Sequence, residues 1–177
     1  MITAELVVGL KIPDVTALTA ANAIRRRLGY ADELQVLQRA DYYRLTLDVA
    51  DRDAAEGLVR RMAERTNLFV NPNKHTYEVR FPEDHAGAAE DGHYVVHVLV
   101  TSPDDTSGAE TASSLQSHHG YPQVQGVETG VLWTMRLVAD SEARAREIAE
   151  DITVTRSQGQ GILMNPHFQE YEVWMGA

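Results

Sequence analysis

The side chains able to do chemistry in this chain are few and scattered. Seven histidines invite a metal reading first. His93 and His97 are four apart on an apparent strand, a separation of about 13 Å, too far to share one ion. His118 and His119 sit together near an expected helix end, where an imidazole suits the helix dipole. No metal ligand set emerges. Gly159-Gln160-Gly161 is the one Gly-x-Gly, and Met164 stands where a dinucleotide fingerprint needs its third glycine. Lysine occurs only as Lys11 and Lys74, with no phosphate loop, and no Gly-x-Ser-x-Gly elbow is present. Neither a catalytic residue nor a cofactor is expected. Arg25-Arg26-Arg27 is the one basic cluster; spread over a helical turn, it suits a solvated face, or an acidic partner or phosphate.

Composition narrows the class further. The 177 residues are 44% hydrophobic and 24% charged, as in an ordinary globular protein. Without cysteine, disulfides, zinc–thiolate sites and thiol nucleophiles are excluded, which fits a reducing compartment. No apolar run approaches the ~20 residues of a membrane span, and the start lacks a secretory pattern. A net charge of −10 argues against nucleic-acid binding, which needs clustered Lys and Arg. The expectation is a soluble cytoplasmic protein.

The chain repeats itself. Ala23 to Tyr30 recurs, diverged, as Ser114 to Tyr121, and Tyr43, Leu45, Leu47 as Trp133, Met135, Leu137. Asp51 matches Asp140, Asn71-Pro72 matches Asn165-Pro166, and Tyr77-Glu78-Val79 matches Tyr171-Glu172-Val173. Five ordered matches at offsets of 89 to 94 imply two homologous modules, residues 1–82 and 93–177, joined by a polar linker at 83–92. The first module carries 12 basic and 11 acidic residues, the second 4 and 11, so their surfaces have diverged.

Each module is expected to run β-α-β-β-α-β. Strand one is placed at 4–11 and a helix at 15–28, capped by Asp14, closed by Gly29 and striped by Val15, Leu18, Ala21, Ile24 and Leu28. Strands two and three are placed separately at 34–38 and 42–49. Helix two starts at Asp51 and buries Ala55, Leu58, Val59, Met62 and Ala63. Strand four covers about 76–81. The second copy follows suit, with Ala145, Ile148, Ala149 and Ile152 as its second helical stripe. This is the order of the ferredoxin-like split βαβ motif, an α+β fold.

In such a module the helices cover one sheet face, and an open face in water would be polar. Here Val96, Val98 and Val100 alternate with Leu99, and Trp133, Met135 and Leu137 with Leu132 and Val138. Apolar residues on both faces predict burial of both. The copies are therefore expected to pair as a pseudo-dimer through their sheets, with Tyr43, Val96, Val98, Trp133 and Met135 as pairing candidates. A short linker favours that pairing by holding the copies at about millimolar effective concentration.

Together, Leu10-Lys11-Ile12-Pro13-Asp14, Leu28-Gly29-Tyr30, Tyr42-Tyr43-Arg44-Leu45, Asp51-Arg52-Asp53, Met62-Ala63-Glu64, Asn71-Pro72 and Tyr77-Glu78-Val79 form an ordered set. The set resembles PurS, the small subunit of phosphoribosylformylglycinamidine synthase in de novo purine biosynthesis, over residues 1–81 and more weakly over 94–175. The resemblance implies a non-catalytic assembly subunit that joins a glutaminase (PurQ-type) to an ATP-dependent synthetase (PurL-type). It also implies dimers formed through sheets, and a homo-oligomer of the pseudo-dimer is compatible with it. PurS chains hold one such module, whereas this chain holds two, and the second begins Val100-Thr101-Ser102-Pro103 instead of Leu-Lys-x-Pro. The Asn-Pro turns persist although the surrounding charge has diverged. Their plain role is to set the turn into strand four. Their second reading is that Asn71, Pro72, Asn73, His75, Asn165, Pro166 and His167 dock the synthetase or line a path for ammonia. Two other uses of the same element order remain: a tandem ACT-like module binding a small effector, and an RNA-recognition pair, which the acidic second copy opposes.

Overall fold

The computed structural model describes residues 1–85, 87, 91–156 and 161–176. Much of the expected linker, and Gly159-Gln160 of the Gly-x-Gly, lie outside the described residues. Strands β1 (Ile2–Leu10), β2 (Leu34–Leu47), β3 (His75–Arg80), β4 (His93–Thr101), β5 (Val124–Val138) and β6 (Glu170–Gly176) alternate with helices α1 (Val15–Ala23), α2 (Arg52–Arg65), α3 (Ser107–Ser117) and α4 (Glu142–Thr153). The fold is α+β, with an antiparallel sheet in the order β3-β1-β2-β5-β4-β6.

The main departure from expectation is in the second and third strands of each copy. They are one continuous strand, β2 with 14 residues and β5 with 15. Nothing at Arg39-Ala40-Asp41 has the Gly, Asn or Pro chemistry of a two-residue hairpin, so the chain runs on extended. Gly126 and Gly130 in β5 do not turn it either.

The chain forms two compact units, and neither coincides with one sequence copy. Unit 1 comprises residues 1–12, 40–84 and 104–130; unit 2 comprises 13–39, 85–103 and 131–177. Unit 1 therefore holds β1, the second half of β2, α2 and β3 of the first copy, together with α3 and the first half of β5 from the second. Its core joins Leu6, Leu45, Leu58, Val59 and Met62 to Ala112 and Leu115 of α3. The Asp48 amide donates to the Gln123 carbonyl at 2.8 Å, pairing β2 with β5. Unit 2 mirrors this composition. Val96, Val98, Trp133, Met135 and Ile148 pack with Ala17, Ala21 and Ile24 of the first copy. The Val138 amide donates to the Glu33 carbonyl at 2.9 Å, and Tyr30 Oη donates to Asp151 of α4 at 3.1 Å. Each unit thus has four strand segments and two helices, in which one helix and one strand segment come from the other copy.

This exchange rotates the stripe expected on α1. Ala17 and Ala21 are buried, whereas Val15 and Leu18 are 73% and 53% exposed. Small side chains let the helix approach a sheet face occupied by Trp133, and the larger residues turn outward. Asp14 caps the helix as expected, accepting from the Thr16 and Ala17 amides at 2.8 and 3.2 Å. The residues that follow it, Ile24–Leu28, form a π-helical turn before Gly29 at φ +80°. The stripes of α2 and α4 are buried as their periodicity requires. Asp51 caps α2, but the equivalent cap of α4 is Ser141, which accepts from the Arg144 amide at 3.1 Å, not Asp140.

A chain ending at residue 82 keeps β1 to β3 but loses the α3–β5 segment that completes unit 1. Expressed alone, it should form a dimer in which each chain supplies the missing helix and strand to the other. Light scattering showing a stable, folded monomer would refute the exchange.

Candidate functional site

The two Asn-Pro turns are built alike. In unit 1, Asn71 Oδ1 accepts from the Asn73 amide at 3.0 Å, and the Asn71 carbonyl accepts from Lys74 and His75 at 3.0 and 2.8 Å. The Asn71 amide donates to His75 Nδ1 at 3.2 Å. In unit 2, Asn165 Oδ1 accepts from the His167 amide at 3.0 Å, and its carbonyl accepts from Phe168 and Gln169 at 3.1 and 3.0 Å. Here the Asn165 amide donates to Gln169 Oε1 at 2.9 Å, so Gln169 takes the part of His75. Both asparagines hold their turns through a side-chain oxygen that accepts from the backbone amide two residues ahead. Pro72 and Asn73 in one unit, and Pro166 and His167 in the other, project into solvent, while His75 is half-buried.

The chain between α4 and the second turn is longer than its counterpart after α2. Beside it lies a cleft of about 460 Å³ lined by Thr155, Arg156, Leu163, Asn165, His167 and Gln169 among others. It offers a guanidinium, an imidazole and carboxamides, which suits an anionic or hydrogen-bonding group. Among the described residues no group of three or more His, Asp or Glu could hold a metal ion.

The pairing candidates all lie on helix-covered sheet faces. Val96, Val98, Trp133 and Met135 are in the unit 2 core with α1 and α4. Tyr43 packs against the unit 1 core, its ring edge-on to Phe69 at 4.8 Å. Burial raises the Tyr43 phenol above its ordinary value, with Asp41 adding to the effect.

The opposite faces are buried only in part, and at their buried positions they hold polar pairs that periodicity did not reveal. In unit 1, Glu5 stands opposite Arg44, and Val7 opposite Tyr42. Glu5 and Tyr42 are both 1% exposed. Tyr42 Oη donates to Glu5 Oε1 at 2.6 Å, and Arg44 Nε donates to Tyr42 Oη at 3.3 Å. Burial pushes the Tyr42 phenol far up, and the carboxylate of Glu5 pushes it further. In unit 2, the same register places His97 opposite Thr134, and Leu99 opposite Leu132. His97 Nδ1 and Thr134 Oγ1 are 2.8 Å apart, and Trp174 lies between His97 and His85, stacked on His85 at 4.4 Å. The sequence signal for these pairs was an acid and an imidazole at central positions of strands one residue out of phase with their apolar neighbours.

Residues 3–83 match the family model PurS, described as phosphoribosylformylglycinamidine (FGAM) synthase. Over those residues the chain is similar to the PurS family. The match covers β1 to β3 and connects the chain with FGAM synthase, and so with purine biosynthesis. No curated protein matches the sequence. Among the described residues, no helix is long and apolar enough to cross a membrane.

Tyr42→Phe leaves the buried Glu5 carboxylate short of a donor and should destabilise the protein by about 1–3 kcal/mol. Urea unfolding monitored by circular dichroism measures it. Asn71→Ala and Asn165→Ala should each cost about 1 kcal/mol, because each removes one turn acceptor.

Proposed function

We propose that this chain is a non-catalytic assembly subunit of FGAM synthase in de novo purine biosynthesis. It acts in the cytoplasm and bridges a PurQ-type glutaminase and a PurL-type ATP-dependent synthetase. The PurS match over residues 3–83 carries this reading. A chain that carries both copies brings a complete pair of units to the assembly without a dimerisation step, the copies acting as a pseudo-dimer through their sheets. The docking surface in this reading includes the projecting residues Pro72, Asn73, Pro166 and His167, with Asn71, His75 and Asn165 setting their positions. Loop residues of this kind carry contacts while the core carries packing.

The ACT-like alternative has one observation in its favour, the cleft beside Arg156 and His167. It requires the isolated protein to bind an amino acid or nucleotide saturably in calorimetry.

Co-expression with a PurL-type synthetase and a PurQ-type glutaminase should give a complex that makes the amidine from glutamine. The pure chain should release neither glutamate from glutamine nor phosphate from ATP, and steady turnover of either would overturn the proposal. Asn73→Ala with His167→Ala should leave the melting temperature near wild type. The same pair should lower the glutamine-dependent rate at limiting subunit roughly tenfold, the effect of losing one important interface contact. An unchanged rate would remove the turns from the docking surface.

A further inference from the structure

Eleven residues, 154–164, separate α4 from Asn165 in the second copy, against five, 66–70, between α2 and Asn71 in the first. The described part of the longer segment folds back on the end of α4. The Leu163 and Met164 amides donate to the Thr153 carbonyl at 3.1 and 3.0 Å, and the Thr155 amide donates to the Met164 carbonyl at 3.2 Å. Thr155 Oγ1 donates to the Gly161 carbonyl at 3.1 Å. These bonds bring Thr155 and Arg156 beside the second Asn-Pro turn, where both line the cleft of about 460 Å³ with Asn165, His167 and Gln169. What the cleft presents is set by hydrogen bonds already made. Asn165 Oδ1 accepts from the His167 amide, and Gln169 Oε1 accepts from the Asn165 amide. Each carboxamide oxygen is thus engaged by backbone, and each NH2 group remains as a donor. Among the described residues, no hydrogen bond or ion pair occupies the Arg156 guanidinium or the His167 imidazole. Among the described residues that line the cleft there is no Asp or Glu. A guanidinium, an imidazole and two NH2 groups with no acid among them select an anion.

We propose that this cleft binds an organic phosphomonoester, its phosphate held by Arg156, His167 and the carboxamides of Asn165 and Gln169, and its organic body against Ile162 and Leu163. The planar guanidinium fork bonds two phosphate oxygens at once, which leaves the third to the imidazole and the NH2 groups. A carboxylate has only two oxygens and leaves donors unmatched. A free amino acid also brings an ammonium group, which no acidic side chain of the cleft meets. The volume exceeds what a lone inorganic anion fills and falls within the roughly 300–1,000 Å³ of small-molecule sites. Ile162, 41% exposed, and Leu163 give the cleft its apolar side. The first copy does not repeat the site. Its shorter connection contains no arginine, Asn73 stands where His167 does, and the His75 imidazole is engaged by the turn itself, accepting from the Asn71 amide. Binding of this kind rests on the small-molecule reading of the cleft and requires no partner subunit.

Calorimetric titration of the full chain in phosphate-free buffer tests the site with adenosine 5′-monophosphate, adenosine, inorganic phosphate and leucine. The monophosphate should saturate one site per chain. Inorganic phosphate should bind roughly tenfold more weakly or worse, and adenosine and leucine should give no saturable heat. Arg156→Gln should weaken the monophosphate by roughly tenfold, the effect of losing one charge-assisted contact. Arg27→Gln removes an exposed guanidinium outside the cleft and should leave binding unchanged. Both arginines are exposed, and unchanged melting temperatures will show that the fold is intact. Failure of the monophosphate to saturate would overturn the proposal. So would adenosine or inorganic phosphate binding as tightly as the monophosphate, Arg156→Gln binding it as well as the wild type, or Arg27→Gln losing as much as Arg156→Gln. Saturable leucine binding without monophosphate binding would overturn the phosphomonoester and keep the small-molecule reading, whereas silence from all the probes would remove both.

Discussion

The architecture depends on the absence of a turn. At Arg39-Ala40-Asp41 nothing supplies the positive φ that a tight hairpin needs, so β2 continues for 14 residues. β5 does the same in the second copy, over 15. Each long strand carries its preceding helix out of its own copy, α1 into unit 2 and α3 into unit 1. The helix then finds its apolar partner in the other copy's strands, and its own side-chain stripe rotates to suit. The exposure of Val15 and Leu18 and the burial of Ala17 and Ala21 follow from that one feature of the backbone.

The exchange also ties residues 1–82 to residues 93–177 through shared cores. A single copy cannot complete either core, because each core takes a helix and half a strand from the other. The family match on residues 3–83 therefore describes a segment that is whole in sequence but shares its packing with residues outside it.

Under that shared frame the copies have separated in chemistry. At one register position the first has Glu5 opposite Arg44, tied to Tyr42, while the second has His97 opposite Thr134. At the Asn-Pro turns, His75 and Gln169 accept the same amide bond with different atoms. Arg146 of α4 donates to the Val173 carbonyl, where the matching position of α2 is Glu56, which accepts from Arg60. The backbone roles are held by asparagine, glycine and capping residues, which can be replaced only at a cost in local hydrogen bonds. The surface and buried polar pairs have no such restriction, since each needs only a complementary neighbour.

Local rules made much of this legible. Asp14, Asp51, Gly29, Asn71 and Asn165 each act through bonds within a few residues, and their roles follow from residue type alone. The stripes of α2 and α4 follow from helical period, because both helices pack on their own copy's strands. The sequence likewise determined the α+β element types, and its ordered motifs pointed to the family. Tertiary structure alone decided which copy each first helix packs on, since periodicity records that a face is buried and not by what. It decided that Val15 and Leu18 face solvent, and that Glu5 and Tyr42, far apart in sequence, meet in the interior. The positions of the pairing candidates were decided the same way: Tyr43, Val96, Val98, Trp133 and Met135 all lie under helices, and in unit 2 one of those helices is α1 of the other copy. Contacts of that kind depend on where a long strand delivers a distant segment, and no short window of residues contains that information.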